Sequence, residues 1–123
     1  MTPTEYIQNA TRTEKVDLPF ETVNGVTPRI EHAIIGLASE CGELVGAMKK
    51  AKIYGKEFDV VNFKEEIGDI MWYLAIALDS INSSWEEVWD LNIAKLKARY
   101  PDKYTDCNAL TRNLEIERKI LES

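Results

Sequence analysis

The sequence predicts an all-α fold, an antiparallel helical bundle of four main helices with short flanking ones, and three observations carry that expectation. No stretch alternates apolar and polar residues in the manner of a half-buried strand. Apolar residues recur instead three and four positions apart over long segments. Thr, Ser, Pro and Gly stand where those segments begin and end, which leaves short connections. With 123 residues and 45% hydrophobic content, one modest core is available. A single domain over 1–123 is expected, with 1–26 as a lead-in and 106–123 as a C-terminal flanking helix.

Residues 4–14 (TEYIQNATRTE) read as a short polar helix, followed by an irregular stretch through Pro19, Asn24 and Gly25. Thr27-Pro28 supplies an N-cap and a proline at the first helical position. The helix it opens carries Ile30, Ile34, Leu37, Cys41, Leu44, Val45 and Met48 at helical spacing and runs to about Lys52. Lys52–Lys56 interrupts it, with Gly55 suited to a left-handed helix end, and a linker continues to about Val60. A third helix is expected over 62–82. Its segment Ile70–Leu78 is apolar on every face, more than one bundle of this size can cover, so burial against another subunit is expected. Ser83 with Glu86, or Ser84 with Glu87, offers a capping box for a fourth helix over 84–99, stopped by Pro101. Trp85, Val88, Trp89, Ile93 and Leu96 form its expected buried stripe. A last helix over 107–121 presents Leu110, Leu114 and Ile120 or Leu121 among alternating charges.

The charge balance narrows the partners. A net charge of −6 and a pI near 4.8 argue against a long nucleic acid, which would demand clustered Lys and Arg. A small polyphosphate carried in with its metal remains compatible. Only Cys41 and Cys107 are present, and nothing resembles a signal peptide or a membrane span of about 20 apolar residues. A cytoplasmic, reduced protein with no membrane partner is expected.

Four carboxylates stand out within this frame. Glu40-x-x-Glu43 and Glu66-x-x-Asp69 sit inside otherwise apolar helical stretches. Residues three apart lie about 60° from each other around a helix, so each pair projects two acids from one face. The plain alternative, two pairs on solvated faces, is opposed by their neighbours. Leu37, Ala38, Cys41, Leu44 and Val45 flank one pair, and Ile67, Ile70, Met71 and Leu74 the other. These core types draw both pairs toward a shared interior, where uncompensated carboxylates are costly. Four hard oxygen ligands point to Mg²⁺, with Mn²⁺ as a substitute. Glu65, about 100° from Glu66, reads as facing solvent or supporting a ligand rather than binding metal itself.

A second polar group lies on the fourth helix. Asn92, Lys95 and Arg99 fall at i, i+3 and i+7, and Asn92 sits between Trp89 and Leu96 where an aliphatic residue would be expected. A half-buried amide there needs a partner. Lys95 and Arg99 would neutralise phosphate oxygens, Arg through its planar fork. Lys52, Tyr54 and Lys56, between the acid-bearing helices, form either a plain surface turn or a loop that closes over a phosphate tail. His32, the only histidine, reads as a satisfied polar contact. Trp72, Tyr73, Trp85 and Trp89 read as core or interface, with base stacking as the other use.

The runs HAIIGLASECGELVGAMKKAKIYGKEFD, NFKEEIGDIMWYLAIAL and NIAKLKARYPDKYT resemble the MazG-type all-α nucleoside triphosphate pyrophosphohydrolases, especially the small single-domain phage and bacterial forms. The family's E-x-x-E, spacer, E-x-x-D signature falls on Glu40, Glu43, Glu66 and Asp69. Its N-x-x-K-L-x-x-R-Y-P element falls on Asn92, Lys95, Leu96, Arg99, Tyr100 and Pro101. The resemblance covers about residues 30–105 and implies cleavage between the α- and β-phosphates of a (deoxy)nucleoside triphosphate with Mg²⁺, in a homodimer or homotetramer. The chemistry of the residues agrees with it: Glu40, Glu43, Glu66 and Asp69 would hold the metal, one of these acids, here assigned to Glu43, would orient or deprotonate the attacking water, and Lys95, with Asn92 and Arg99, would stabilise the leaving pyrophosphate. House-cleaning of the nucleotide pool is the expected task. Two other classes use similar residues. A di-iron bundle would add Glu-x-x-His motifs, which this chain lacks. A nucleotide sensor or interaction module would keep the fold and the metal without turnover.

Overall fold

Local capping chemistry sets the six helices of the computed structural model, which describes residues 1–123. Helix α1, Pro3–Thr11, opens on a capping box in which Thr2 Oγ1 accepts from the Glu5 amide (3.2 Å) and Glu5 Oε2 accepts from the Thr2 amide (2.6 Å). It stops three residues short of the expected end because the Thr13 amide and hydroxyl both donate back to the Ala10 carbonyl, at 3.0 and 2.8 Å. In the segment that follows, Asn24 and Gly25 both take positive φ, 49° and 84°, between the bridged residues Val23 and Val26, a tight two-residue turn.

Helix α2, Pro28–Lys52, begins as expected, with Thr27 Oγ1 accepting from the Ile30 amide at 3.3 Å. Helix α3, Val60–Ser80, begins earlier than expected because Asp59 Oδ1 accepts from the amides of Val61 and Asn62, at 3.0 and 3.1 Å. Phe58 and Phe63 pack across that cap, ring centroids 5.3 Å apart, as a hydrophobic staple. Helix α4, Trp85–Arg99, is capped by Ser84 rather than Ser83, its hydroxyl accepting from Glu87 N at 3.1 Å. The single last helix is corrected to two, α5 (Asp106–Leu110) and α6 (Leu114–Glu122). The Thr111 hydroxyl closes α5 on the Cys107 carbonyl (2.6 Å), and Asn113 Oδ1 starts α6 by accepting from the Ile116 amide (3.1 Å).

These helices form two compact units, Met1–Ser83 and Ser84–Ser123. In the first, α2 and α3 lie along each other and α1 packs on α3. The pairing is antiparallel: Arg29 meets Asp79, Gly36 meets Tyr73, and Glu40 meets Asp69. Arg29 ties three segments together, donating to both oxygens of Glu14 (2.8 and 2.9 Å) and to Asp79 (2.6 Å). The Trp72 indole donates to the Thr13 hydroxyl (2.9 Å), which fixes the end of α1 to α3. His32 sets its ring edge-on to Trp72 and Tyr73, at 6.3 and 5.7 Å, and its buried Nδ1 has no protein hydrogen-bond partner. The satisfied polar contact expected of it is replaced by an aromatic one.

Ala10, Ala33, Ala75, Ile76 and Leu78 are the buried apolar residues, and Ile76 is the largest fully buried side chain. That is a small core for this length. Ile34, Ala38, Cys41, Val45 and Met48 are all exposed on α2 and recur at spacings of four, three, four and three. This stripe lies about 150° around α2 from the face that meets α3. On α3, Ile67 and Met71 are also exposed, whereas the rest of Ile70–Leu78 is buried or half-buried. No helix is long and apolar enough to cross a membrane.

In the second unit α4 packs against α6 around a buried acid. Glu117, 5% exposed, accepts from Arg99 Nε (2.8 Å) and Nη2 (3.0 Å), and from Arg112 on its other side. The stripe expected to be buried on α4 is corrected, since Val88, Trp89 and Ile93 are exposed; Leu110, Leu114 and Leu121 in the C-terminal segment are exposed as well. Hydrogen bonds from Arg99 and then Arg112 hold the Glu117 carboxyl down to about 2, from an ordinary 4.5. A carboxyl lowered on folding contributes stability that is complete above its unfolded value and lost as pH falls through its folded one. Urea midpoints should therefore fall between pH 4.5 and 2, and Glu117→Gln should remove that part of the fall while lowering the midpoint at pH 7. Equal acid sensitivity in the two proteins would refute the assignment.

Candidate functional site

The antiparallel register of α2 and α3 brings the acids together. Carboxylate oxygens of Glu40, Glu66 and Asp69 all lie within 4.8 Å of one another. Glu66 is buried, Glu40 half-buried and Asp69 exposed, so the cluster opens from the helix seam to the surface. Desolvation, a hydrogen bond to Glu66, and the charges of Asp69, Glu66 and Glu43 together push the Glu40 carboxyl up. Charges of one sign so close favour either a proton or a cation among them. The donors are all carboxylate oxygens, which suits a hard divalent ion.

The fourth acid, Glu43, stands apart from that trio. It lines, with Glu66, a cavity of about 420 Å³ whose walls are Gly46, Ala47 and Lys50 from α2, Lys56, Glu57 and Asp59 from the linker, and Val61, Asn62 and Glu65 from α3. Glu65 thus reaches the cavity while lying outside the trio. Asn62 lies one turn before Glu66, and its Nδ2 donates to Glu66 Oε1 at 3.0 Å, fixing that carboxylate's rotation. The sequence reading missed Asn62, although its i, i+4 relation to Glu66 was the available signal. It also left Tyr6 in the lead-in. Burial and then the charge of Asp69 raise the Tyr6 phenol, which lies 3.5 Å from the Gly68 carbonyl beside the acids.

The linker residues separate. Lys56 lines the cavity, whereas Lys52 and Tyr54 are exposed outside its lining, Tyr54 with the Lys49 ammonium 5.8 Å from its ring centre. Lys50, which the sequence reading passed over, takes the place expected of Lys52. Asn92, Lys95 and Arg99 belong to the second unit. Asn92 is exposed rather than half-buried, and Lys95 is partly covered. Arg99 commits Nε and Nη2 to Glu117, so its planar fork faces a carboxylate of its own unit.

Residues 29–104 match the family model described as the MazG nucleotide pyrophosphohydrolase domain, a span that takes in both acid pairs and all of α4. No curated protein and no solved structure matches significantly.

Proposed function

Because the chain belongs to the MazG nucleotide pyrophosphohydrolase family, we propose that it hydrolyses (deoxy)nucleoside triphosphates between the α- and β-phosphates, releasing the monophosphate and pyrophosphate. The observation that carries this reading is the carboxylate trio, which reaches through Glu66 a cavity that Glu43, Lys50 and Lys56 also line. An acid cage alone fits many cations. An acid cage beside unpaired ammonium groups fits a metal–polyphosphate.

Glu40, Glu66 and Asp69 would hold Mg²⁺, or Mn²⁺ in its place, with Glu43 completing the set. The bound ion supplies charge neutralisation on the phosphate oxygens and activation of water. Glu43, an exposed acid on the cavity wall and the one on α2, orients the attacking water and takes its proton. The water oxygen bonds to the α-phosphorus, the bond from that phosphorus to the bridging oxygen breaks, and pyrophosphate departs. Asn62 keeps Glu66 in a single rotamer. Asn92 and Lys95 enter this reading through the motif they share with the family, as contacts to the departing phosphates.

A homodimer or homotetramer accompanies this reading, supported by the exposed α2 stripe and by the small core. Its place would be the cytoplasm, clearing unwanted nucleotides from the pool.

A panel of the eight common NTPs and dNTPs, with dUTP and an oxidised purine triphosphate, incubated with Mg²⁺ and scored for monophosphate and pyrophosphate, tests the reading. At least one should yield both products in equal amounts, and chelation of the metal should stop the reaction. Binding without turnover across the whole panel would make the protein a nucleotide sensor.

A further inference from the structure

The cavity beside the acids is asymmetric, and its asymmetry bears on how a polyphosphate lies in it. Glu43, Ala47 and Lys50 recur four and three residues apart, so they share one face of α2, with Lys50 about 10 Å along the axis from Glu43. Between them the floor is Gly46 and Ala47, and a Cβ built on Gly46 would meet nothing within 4 Å. Glu43 and Glu66 line one end and Lys50 and Lys56 the other, where Glu57 and Asp59 of the linker also form the wall, Asp59 with one carboxylate oxygen committed to the amides that open α3.

The second cation is brought there by the backbone. Gly55 takes φ +67°, which a side chain would disfavour, and the linker turns back so that the Lys56 amide donates to the Lys50 carbonyl at 3.1 Å. Both lysines then line one cavity, and neither is held in an ion pair; every ion pair of the protein uses an arginine. Stabilisation of a helix C-terminus by positive charge explains lysine in the last turn of α2, but it explains Lys49 and Lys52 equally well. It does not explain why Lys50 and Lys56 line the same cavity as Glu43 and Glu66.

We infer that Lys50 and Lys56 form a clamp for the terminal two phosphates, so that the polyphosphate runs over Gly46 with its pyrophosphate end toward the C-terminus of α2 and its nucleoside end toward Glu40 and Asp69. This rests on the pyrophosphohydrolase reading and adds the direction of the substrate, Lys50 as a contact to its leaving group, and the pairing of Lys50 with Lys56.

Calorimetric titration of the full chain with inorganic pyrophosphate in saturating Mg²⁺ tests the clamp without turnover. Lys50→Gln and Lys56→Gln should each weaken pyrophosphate binding about tenfold, the scale of one charge-assisted contact, and Lys→Arg at either site should restore most of it. Lys64→Gln, which removes an exposed α3 lysine outside the cavity, controls for net charge. Unchanged pyrophosphate affinity in both variants, or a loss matched by Lys64→Gln, overturns the clamp. If the wild type hydrolyses a nucleotide of the panel while that happens, the clamp fails and the reaction stands. If the two lysines govern pyrophosphate binding but no nucleotide turns over, the clamp stands and the hydrolase reading fails.

Discussion

Glu66→Gln should reduce nucleotide turnover by about a hundredfold or more while leaving the metal-free protein as stable as the wild type, or more so. The two effects have opposite signs for one reason. Glu66 is only 9% exposed and shares its site with Glu40 and Asp69. Three carboxylates of one sign within hydrogen-bonding and Coulombic reach repel one another when no cation lies among them. The amide keeps the shape of the side chain, and its oxygen can still accept from Asn62 Nδ2. What disappears is charge, and with it both the repulsion in the empty cage and the affinity of the cage for a divalent ion. Urea unfolding in chelator, Mn²⁺ titration by calorimetry and product release should move together in that pattern, and Asp69→Asn should follow it with a smaller stability gain because Asp69 is exposed. A Glu66→Gln protein that loses stability and keeps its metal affinity would mean that the carboxylates serve the fold.

Gly36→Val should break the helix pair on which the site is built. A Cβ at Gly36 would fall inside the van der Waals radius of the Tyr73 ring carbons, and Tyr73 is itself packed edge-on against His32 and Trp72. The ring cannot retreat without disturbing two aromatic neighbours. Overpacking of this kind costs about 1–3 kcal/mol for a single added group, while replacing a mid-helix Gly by Ala returns up to about 1 kcal/mol of propensity. Gly36→Ala should therefore be mildly destabilising. Valine adds two further methyl groups and gains less propensity, so its net loss should exceed about 3 kcal/mol. Chemical denaturation of both variants, with Tyr73→Ala alone and in combination, gives a double-mutant cycle. Coupling near zero between positions 36 and 73 would contradict the close approach.

The parts of this protein that the sequence made legible are those where a single helix decides the outcome. Thr27-Pro28 opens α2 because an oxygen and a missing amide act within one turn, and the two acid pairs share faces because 100° per residue puts them there. Glu40, Glu66 and Asp69 meet through the antiparallel register of the two helices, whereas the apolar neighbours were a poor guide, since Ala38, Cys41, Val45, Ile67 and Met71 are exposed. Other features needed the tertiary structure. Glu117 looked like one charge in an alternating run, and only the guanidinium groups of Arg99 and Arg112 make it the buried residue of α6. The break at Thr111–Asn113 depends on side-chain oxygens outcompeting helix propensity over three residues, a balance too fine for periodicity to resolve. Lys50 and Lys52 are identical in composition and differ by about 200° around α2, so the choice between them turned on where the facing helix lies. Thr2-Pro3 with Glu5 is readable as a capping box, and an expected start at residue 4, one residue late, hides it.

Helix α2 carries the acids and the cavity wall on one side and the stripe Ile34, Ala38, Cys41, Val45 and Met48 on the other, so both faces share a single angular phase. Deleting one residue near Gly42 would turn everything after it by about 100°. Val45 and Met48 would leave the stripe in the same step that takes Ala47 and Lys50 off the cavity wall, whereas a changed side chain alters one face at a time. Substitution can therefore tune the two faces separately, but the residue count of α2 is held by both of them together.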